Sequence, residues 1–339
     1  MRLVAFSQTG YSVGIASFLS SEGHATSVYI HKELDMPFVI RTVHKDTPDI
    51  VIFDSPTFAA PADEIRSRGI RVLGASQWSE LLSNNQEYQD DLIKAIGYTP
   101  YKDENGIDAI VTCWFNGQRF ISKSLVFNYD KMMSNNVGAS VGSSGYIVYF
   151  TKSKLVDDVV TPLEKFLRKA NHRGCFSVSV TITDGPDALI RSISADITQP
   201  YTQAIFENTR RSRSDLLLDL FNETSTYIPT IEPYVCGVQV SVYPYPYTSP
   251  KVCTVEGISP SNLKHMWIVD LSQVKDDWVC GAGNGCMGYV TARGTSVQEA
   301  QRRVYRTIKN IKSENIQYRN DIGKDVGEKM YYLRQKHLI

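Results

Sequence analysis

GYVTARGTSVQEAQRRVYRTIKNIKSENIQYRNDIGKD, residues 288–325, holds the most specific fold signal in the chain. Gly288–Ala292 predicts a strand. Ser296 then precedes a strongly periodic helix, Val297–Lys312, and Glu299 stands three positions after Ser296 in a capping-box arrangement. The stretch closes on Arg319-Asn320-Asp321-Ile322-Gly323. A strand, a capped amphipathic helix and a polar closing turn make one α/β unit.

Working back from there, the last third opens near Tyr227 with alternation over Val235–Tyr243. The run YPYPY, 243–247, cannot sit inside a sheet and predicts an edge or turn. Further strands are expected near Lys251–Val255 and Met266–Leu271. In the middle, Ala109–Phe115 and Gln118–Val126 predict a hairpin across Asn116-Gly117, a favoured type I′ turn. Ser134–Gly145 (SNNVGASVGSSG) lacks an apolar period and predicts a loop. Lys154–Asn171 predicts one amphipathic helix, Phe176–Thr183 and Ala188–Ile197 a strand pair across Asp184-Gly185, and Ser212–Phe221 a helix.

The first hundred residues alternate strand and helix. Strands are expected at Leu3–Phe6, Thr26–Ile30, Asp49–Phe53 and Arg71–Leu73, and helices at Ser12–Ser21, Pro61–Arg68 and Trp78–Ile96. That alternation predicts a parallel, doubly wound sheet. The fold class is thus α/β, in three parts: 1–99, a parallel doubly wound domain; 100–226, a central antiparallel α+β domain; and 227–339, a small C-terminal α+β domain.

Composition narrows function by exclusion. Lys+Arg 36 balances Asp+Glu 36, so the charge surplus of a dedicated duplex-DNA binder is missing. The six cysteines form no Cys-x-x-Cys pair and the histidines no His-x-His or His-Glu-x-x-His pattern, so no metal site is predicted. No apolar run reaches the roughly 18 residues of a membrane span, and the N-terminus does not have the pattern of a signal peptide. The expected setting is cytoplasmic.

Three segments, read together, resemble glycinamide ribonucleotide synthetase (phosphoribosylamine–glycine ligase), an ATP-grasp family: Ile70–Pro100, TQPYTQAI at Thr198–Ile205, and Gly288–Asp325. The resemblance implies an ATP-grasp-like fold with a pre-ATP-grasp N-terminal domain. It also exposes departures. In the family a flexible lid with a phosphate-holding lysine follows the Pro-Thr that ends the first domain. Here Thr99-Pro100 leads almost at once to the Ala109 hairpin, so the central domain is truncated. Ser192 and Ser194 fall where the family places its magnesium ligands, and neutral serines are poor ligands for a hard cation. Gln199 and Tyr201 replace the acidic residues of the following loop, and the loop's Arg falls near Asp196. Pro200, Thr202 and Gln203 keep their type. ATP and Mg2+ are therefore doubtful cofactors, and no metal ligand is assigned.

The resemblance also marks candidate residues. The turn Ser7-Gln8-Thr9-Gly10 sits where the family binds its phosphorylated substrate, and a strand-to-helix turn suits phosphate; any such turn also needs a glycine. Asp130 and Lys131 match a family segment in which the lysine would hold a phosphate or carboxylate, or would simply be solvated. The stretch with Asn136 and Gly138 resembles a segment near the family's amino-acid substrate, with a plain loop as the alternative. Pro200, Thr202 and Gln203 would orient the amino acid. Arg210 and Arg211, with Arg213, form the tightest basic cluster, compatible with phosphate, nucleic acid included, or with a solvated helix start. Asn284 lies in a glycine-rich turn, GAGNG, that contacts a substrate edge in the family; a hairpin turn is the alternative.

Three functions follow. One is an enzyme that joins an amino acid or amine to a phosphorylated sugar, nucleotide or already activated modified base, in solution or in DNA, without its own ATP activation. A second is an inactive nucleotide- or phosphate-binding protein. The third is an authentic ATP-dependent phosphoribosylamine–glycine ligase.

Overall fold

The computed structural model describes residues 1–101, 105–184, 188–248 and 250–339. Its first part runs β1 (Arg2–Ser7), α1 (Val13–Ser21), β2 (Ala25–Ile30), α2 (Met36–Asp46), β3 (Ile50–Phe53), α3 (Ala59–Ser67), β4 (Val72–Gly74), α4 (Gln77–Asn84) and α5 (Gln86–Ala95). The four strands form a parallel sheet in the order β2-β1-β3-β4, as the alternation predicts. Leu3–Phe6 of β1 and the whole of β3 are apolar and buried because helices and neighbouring elements cover both their faces. On one face Val4, Phe6, Val51 and Phe53 pack on α2 and α3; on the other Leu3, Ala5, Ile50 and Ile52 pack on α1 and the rest of the chain.

Two local readings change. Helix α2 was not expected; Asp35 caps it, accepting from Phe38 N at 2.7 Å, and Pro37 stands in its first turn. The long helix expected over Trp78–Ile96 breaks at Asn85, which takes an extended backbone and starts α5 by accepting from Tyr88 N at 2.9 Å. Local capping outcompetes the continuous apolar period.

The second part contributes β5 (Ile107–Phe115), β6 (Phe120–Met133), β7 (Val137–Phe150), α6 (Lys154–Val160), α7 (Glu164–Lys169), β8 (Gly174–Ile182), β9 (Ala188–Ser194), α8 (Ala204–Asn208), α9 (Arg213–Asp219) and β10 (Tyr234–Val242). The rest is β11 (Cys253–Glu256), α10 (Pro260–Leu263), β12 (Met266–Ile268), β13 (Leu271–Val274), β14 (Asp277–Cys280), β15 (Cys286–Gly294), α11 (Val297–Ile308), β16 (Lys312–Ser313), β17 (Ile316–Gln317) and α12 (Val326–Gln335). One antiparallel sheet runs β12-β15-β10-β7-β6-β5-β8-β9, with β17 beside β10, and a small sheet runs β13-β14-β11-β16. The division drawn at 226/227 falls between neighbouring strands of this large sheet, since β10 pairs with β7.

The expected loop over Ser134–Gly145 is instead most of strand β7. Asn135 and Asn136 turn the chain at φ 60° and 59°, a conformation asparagine tolerates. The strand beyond is bulged against β6; Val137, Ala139 and Val141 do alternate with Gly138, Ser140 and Gly142, but the residues are mostly small and none of these six is fully buried, so the pattern reads as a loop. The Asn116-Gly117 turn is wider than two residues: Asn116 N donates to Arg119 O, and the Asn116 side chain accepts from the N–H groups of Gln118 and Arg119. Pro162 interrupts the helix expected over Lys154–Asn171 by removing a donor in its middle. The turn expected at Asp184-Gly185 includes residue 185, which lies outside the described residues. Strand β14 and helix α12 were not expected. Ser296 caps α11 as predicted, accepting from Glu299 N at 3.2 Å, whereas Glu299 reaches back to Thr295 rather than to Ser296.

The large sheet separates two cores. Val111, Cys113, Leu125, Phe127 and Ile147 face α6, α7, α11 and α12; Trp114, Ile121, Val126, Tyr146 and Val148 face α8, α9 and the parallel sheet. Between α5 and β5 only residues 96–106 connect the two parts.

Candidate functional site

A cavity of about 280 Å3 opens where the β6–β7 hairpin meets β17 and the segment leading to Arg319. Its polar wall is Ser144 on β7, Gln239 and Ser241 on β10, Gln317 on β17, and Arg319; Met132, Met133 and Ile316 form the apolar side. The amide nitrogen of Gln317 is buried and has no hydrogen-bond partner among the described residues. A donor left that way costs about 1–3 kcal/mol unless something fills the space beside it.

The walls are fixed by their own contacts. Arg319 is 4% exposed. It pairs with Asp321, donates to Lys131 O at 3.0 Å and Asn136 Oδ1 at 3.3 Å, and lies 4.9 Å over the Tyr129 ring. Asp321 in turn accepts from Asn135 N at 2.8 Å. Ser144 donates to the carbonyls of Tyr129 and Lys131. Gln239 donates to the hydroxyls of Tyr245 and Tyr289, each at 3.1 Å, and Tyr289 donates to Ser143 O. The pocket is thus a pre-formed, uncharged polar niche beside one neutralised arginine.

No protein-family model matches the chain. Among solved structures it is similar to the Thermotoga maritima phosphoribosylamine–glycine ligase (TM-score 0.75, 13% identity, covering 95% of this chain and 100% of that one). It is also similar to Rhizobium etli pyruvate carboxylase (TM-score 0.64, 11% identity, 94% of this chain and 36% of that one). A third match is the biotin carboxylase domain of a single-chain bacterial carboxylase (TM-score 0.62, 8% identity, 94% of this chain and 90% of that one). The fold is ATP-grasp-like. Within this ATP-grasp-like fold, the chain spans only about a third of the pyruvate carboxylase.

The predicted site residues divide into three groups. Asp130, Lys131, Asn136 and Gly138 gather on the hairpin beside the cavity. Asp130 is held by Ser140 and by Gly142 N at 2.8 Å, Lys131 Nζ stands 4.0 Å from Asp130, and Asn136 meets Arg319. Gly138 lies at φ 89° in the exposed start of β7. Lys131 thus holds the lining residues Arg319 and Ser144 through its carbonyl while its side chain is half-exposed.

The N-terminal turn is already filled by a carboxylate of the chain itself. Asp54, buried just beyond β3, accepts from Ser7 Oγ, from Gln8 N at 3.1 Å, and from Ser12 N and Oγ at 3.1 and 2.9 Å. Gly10 N turns to Ser7 Oγ, Gln8 Oε1 accepts from Ser55, and only Thr9 is exposed. Burial pushes the Asp54 carboxyl up, opposed by these donors. Four donors at the turn where a phosphate was expected are thereby committed to an internal anion.

In the third group Arg210, Arg211 and Asn284 are exposed, whereas the other three are sealed beneath the sheet. Pro200, Thr202 and Gln203 are buried, Thr202 donates to the carbonyls of Gln199 and Ile197, and among the described residues neither amide atom of Gln203 is paired. Arg210 donates to Thr230 O, and Arg211 pairs with Asp219. Arg213 packs 4.3 Å over Phe18 and reaches Glu22 and Lys264 O. The basic cluster is thus engaged in joining α9 to its surroundings. Asn284 accepts from Cys286 N, while Gly283 N and Gly285 N donate to Asp270, so the glycine turn wraps an internal carboxylate. Ser192 and Ser194 lie opposite Ser179 and Ser177 in the sheet. Among the described residues no three acidic, histidine or cysteine side chains gather as a metal site, and no helix is long and apolar enough to cross a membrane.

Sequence reading missed Asp54, Gln239, Ser241 and Gln317. Gln239 and Ser241 had a signal, two polar residues in the apolar run VCGVQVSV. Asp54 had a weaker one, a carboxylate directly after a fully buried strand. Gln317 had none, because β17 is two residues long.

Proposed function

We propose that this chain takes a small amino acid or amine into the niche beside Gln317 and joins it to an acceptor that arrives already activated. The acceptor class is a phosphorylated sugar, a nucleotide or a modified base carrying a phosphate or pyrophosphate ester. The amine nitrogen attacks the acceptor carbon, the C–O bond to the ester oxygen breaks, phosphate or pyrophosphate leaves with the electron pair, and the amine gives up a proton. Catalysis then rests on positioning and on stabilising the leaving anion. Arg319 in the wall is already paired with Asp321, so Lys131, half-exposed on the hairpin next to the lining Met132, supplies that charge.

The observation that carries this reading is the cavity itself: it is sized for an amino acid and presents an unpaired amide donor suited to a carboxylate. The connection of residues 96–106 supports an ATP-free route, since it leaves no length for a closing domain. Ser192 and Ser194 support the same conclusion, because they offer no negative charge to a magnesium ion.

The test is a mass-spectrometric assay of glycine and other small amines mixed with phosphoribosyl and nucleotide acceptors, with and without Mg·ATP. Amine-bearing product and released phosphate without ATP are expected. Product only with Mg·ATP would return the chain to ordinary ATP-dependent ligation. A second reading, a binding protein without turnover, is favoured by Asp54 in the N-terminal turn, which removes the expected phosphate cradle. It predicts saturable binding of the amino acid and no product under any condition.

A further inference from the structure

A larger cavity, about 520 Å3, lies at the opposite end of the β6–β7 pair, between the start of β6, the end of β7, helix α6 and the segment 226–230. None of the residues considered above as substrate ligands lines it. Its walls combine aromatic side chains, Phe120, Phe150 and Tyr227, with two lysines, Lys123 and Lys152, and one carboxylate, Asp157.

The two lysines differ in commitment. Lys123 Nζ is 2.8 Å from Asp157 Oδ1 and 5.6 Å from the Phe120 ring. Lys152 Nζ lies 5.3 Å over the Tyr227 ring and makes no ion pair among the described residues. Tyr227 is 50% exposed, a large aromatic left open to solvent. It is nonetheless held in place: the next residue, Ile228, is buried and donates its N–H to Ile121 O at 2.8 Å. A fixed, open tyrosine beside an unneutralised lysine is a surface that suits a ring carrying negative charge. The volume falls within the roughly 300–1,000 Å3 typical of small-molecule pockets.

We infer that this cavity is a second binding site, separate from the amino-acid niche, for an aromatic anion of nucleoside-monophosphate size. The anionic group pairs with Lys152, and the ring packs on Tyr227 and Phe150. Asp157 moderates the site by neutralising Lys123.

The test is calorimetric titration at low salt with adenosine 5′-monophosphate, and with adenosine and inorganic phosphate separately. The monophosphate should bind saturably and more tightly than either fragment. Lys152→Ala and Tyr227→Ala should each weaken it about fivefold, the scale of one ion-pair or cation–π contact. Asp157→Asn, which frees Lys123, should tighten it. Both single alanine changes lie at exposed side chains, and circular dichroism will confirm their fold. The inference is overturned if the monophosphate fails to bind, if fragments bind as well as the whole, or if the alanine variants bind like the unmodified chain. Loss of binding in Gln317→Leu would place the nucleotide in the other cavity and would equally overturn it.

Discussion

Trp267 donates its indole N–H to the backbone carbonyl of Tyr11 at 2.9 Å, joining the large antiparallel sheet to the first turn of the parallel one. The same ring meets Phe18 edge-on at 5.6 Å and Phe206 at 5.5 Å. A Cβ on Gly14 would come within 2.5 Å of the ring. The helix α1 can approach the sheet this closely only because position 14 has no side chain.

Gly14→Ala should therefore destabilise the chain, although alanine is the better helix former. Overpacking of a filled core costs about 1–3 kcal/mol. Urea unfolding of the two proteins side by side checks this; an unchanged or higher midpoint would contradict the close packing.

Arg319 is the post on which the cavity wall hangs. Arg319→Ala leaves Asp321 without its cation and removes one of the two donors to the Lys131 carbonyl, Ser144 remaining; with Asp321 only partly buried, the cost is about 1–3 kcal/mol. Arg319→Lys keeps the charge but not the forked geometry and should recover only part of the loss. Thermal melts of both variants, with amide exchange at 131–137, report it.

His172 sets an acid limit. It is buried against Trp78 and Phe176, hydrogen-bonds Cys175 O at 3.0 Å, and burial holds its pKa down at about 4. The unfolded chain binds this proton near pH 6.5, so the unfolded state carries more protons between the two values. Stability is fully present above about 6.5 and declines as pH falls toward 4, by up to about 3 kcal/mol. His172→Gln should flatten that slope, measured by urea midpoints at pH 4.5 and 7.5.

Asp196 acts in the opposite sense. Burial raises its carboxyl pKa against the donation of Thr198, and the charge of Asp54 raises it further. The folded state therefore holds a proton longer than the unfolded one. Stability is lost as pH rises through the window that opens at the unfolded aspartate value, about 3.9, and closes at the higher folded value. Relative to Asp196→Asn, the unmodified chain should lose ground on crossing that window and hold a constant difference above it. A difference that does not vary with pH would contradict the shift.

Much of the scaffold was legible because it is written in local periods. The parallel sheet follows from strands β1 and β3, apolar at nearly every position, and the C-terminal helix from Ser296 and its periodic face. The start of β7, residues 137–141, was not legible, since its alternation of Val137, Ala139 and Val141 with Gly138 and Ser140 rests on mostly small residues that reach no buried core. The site was half legible. Lys131 and Asn136 were marked by resemblance, and they stand beside the cavity. Gln317 and Asp54 were not, because what distinguishes them is a missing partner in one case and four converging donors in the other. Both are properties of the folded chain.

Calorimetric titration of glycine into the chain without nucleotide, repeated with Mg·ATP and with Gln317→Leu, tests the central claim most directly. The account predicts saturable binding that Mg·ATP leaves unchanged and Gln317→Leu abolishes. Binding that requires Mg·ATP, or that survives the loss of the Gln317 amide, would contradict it.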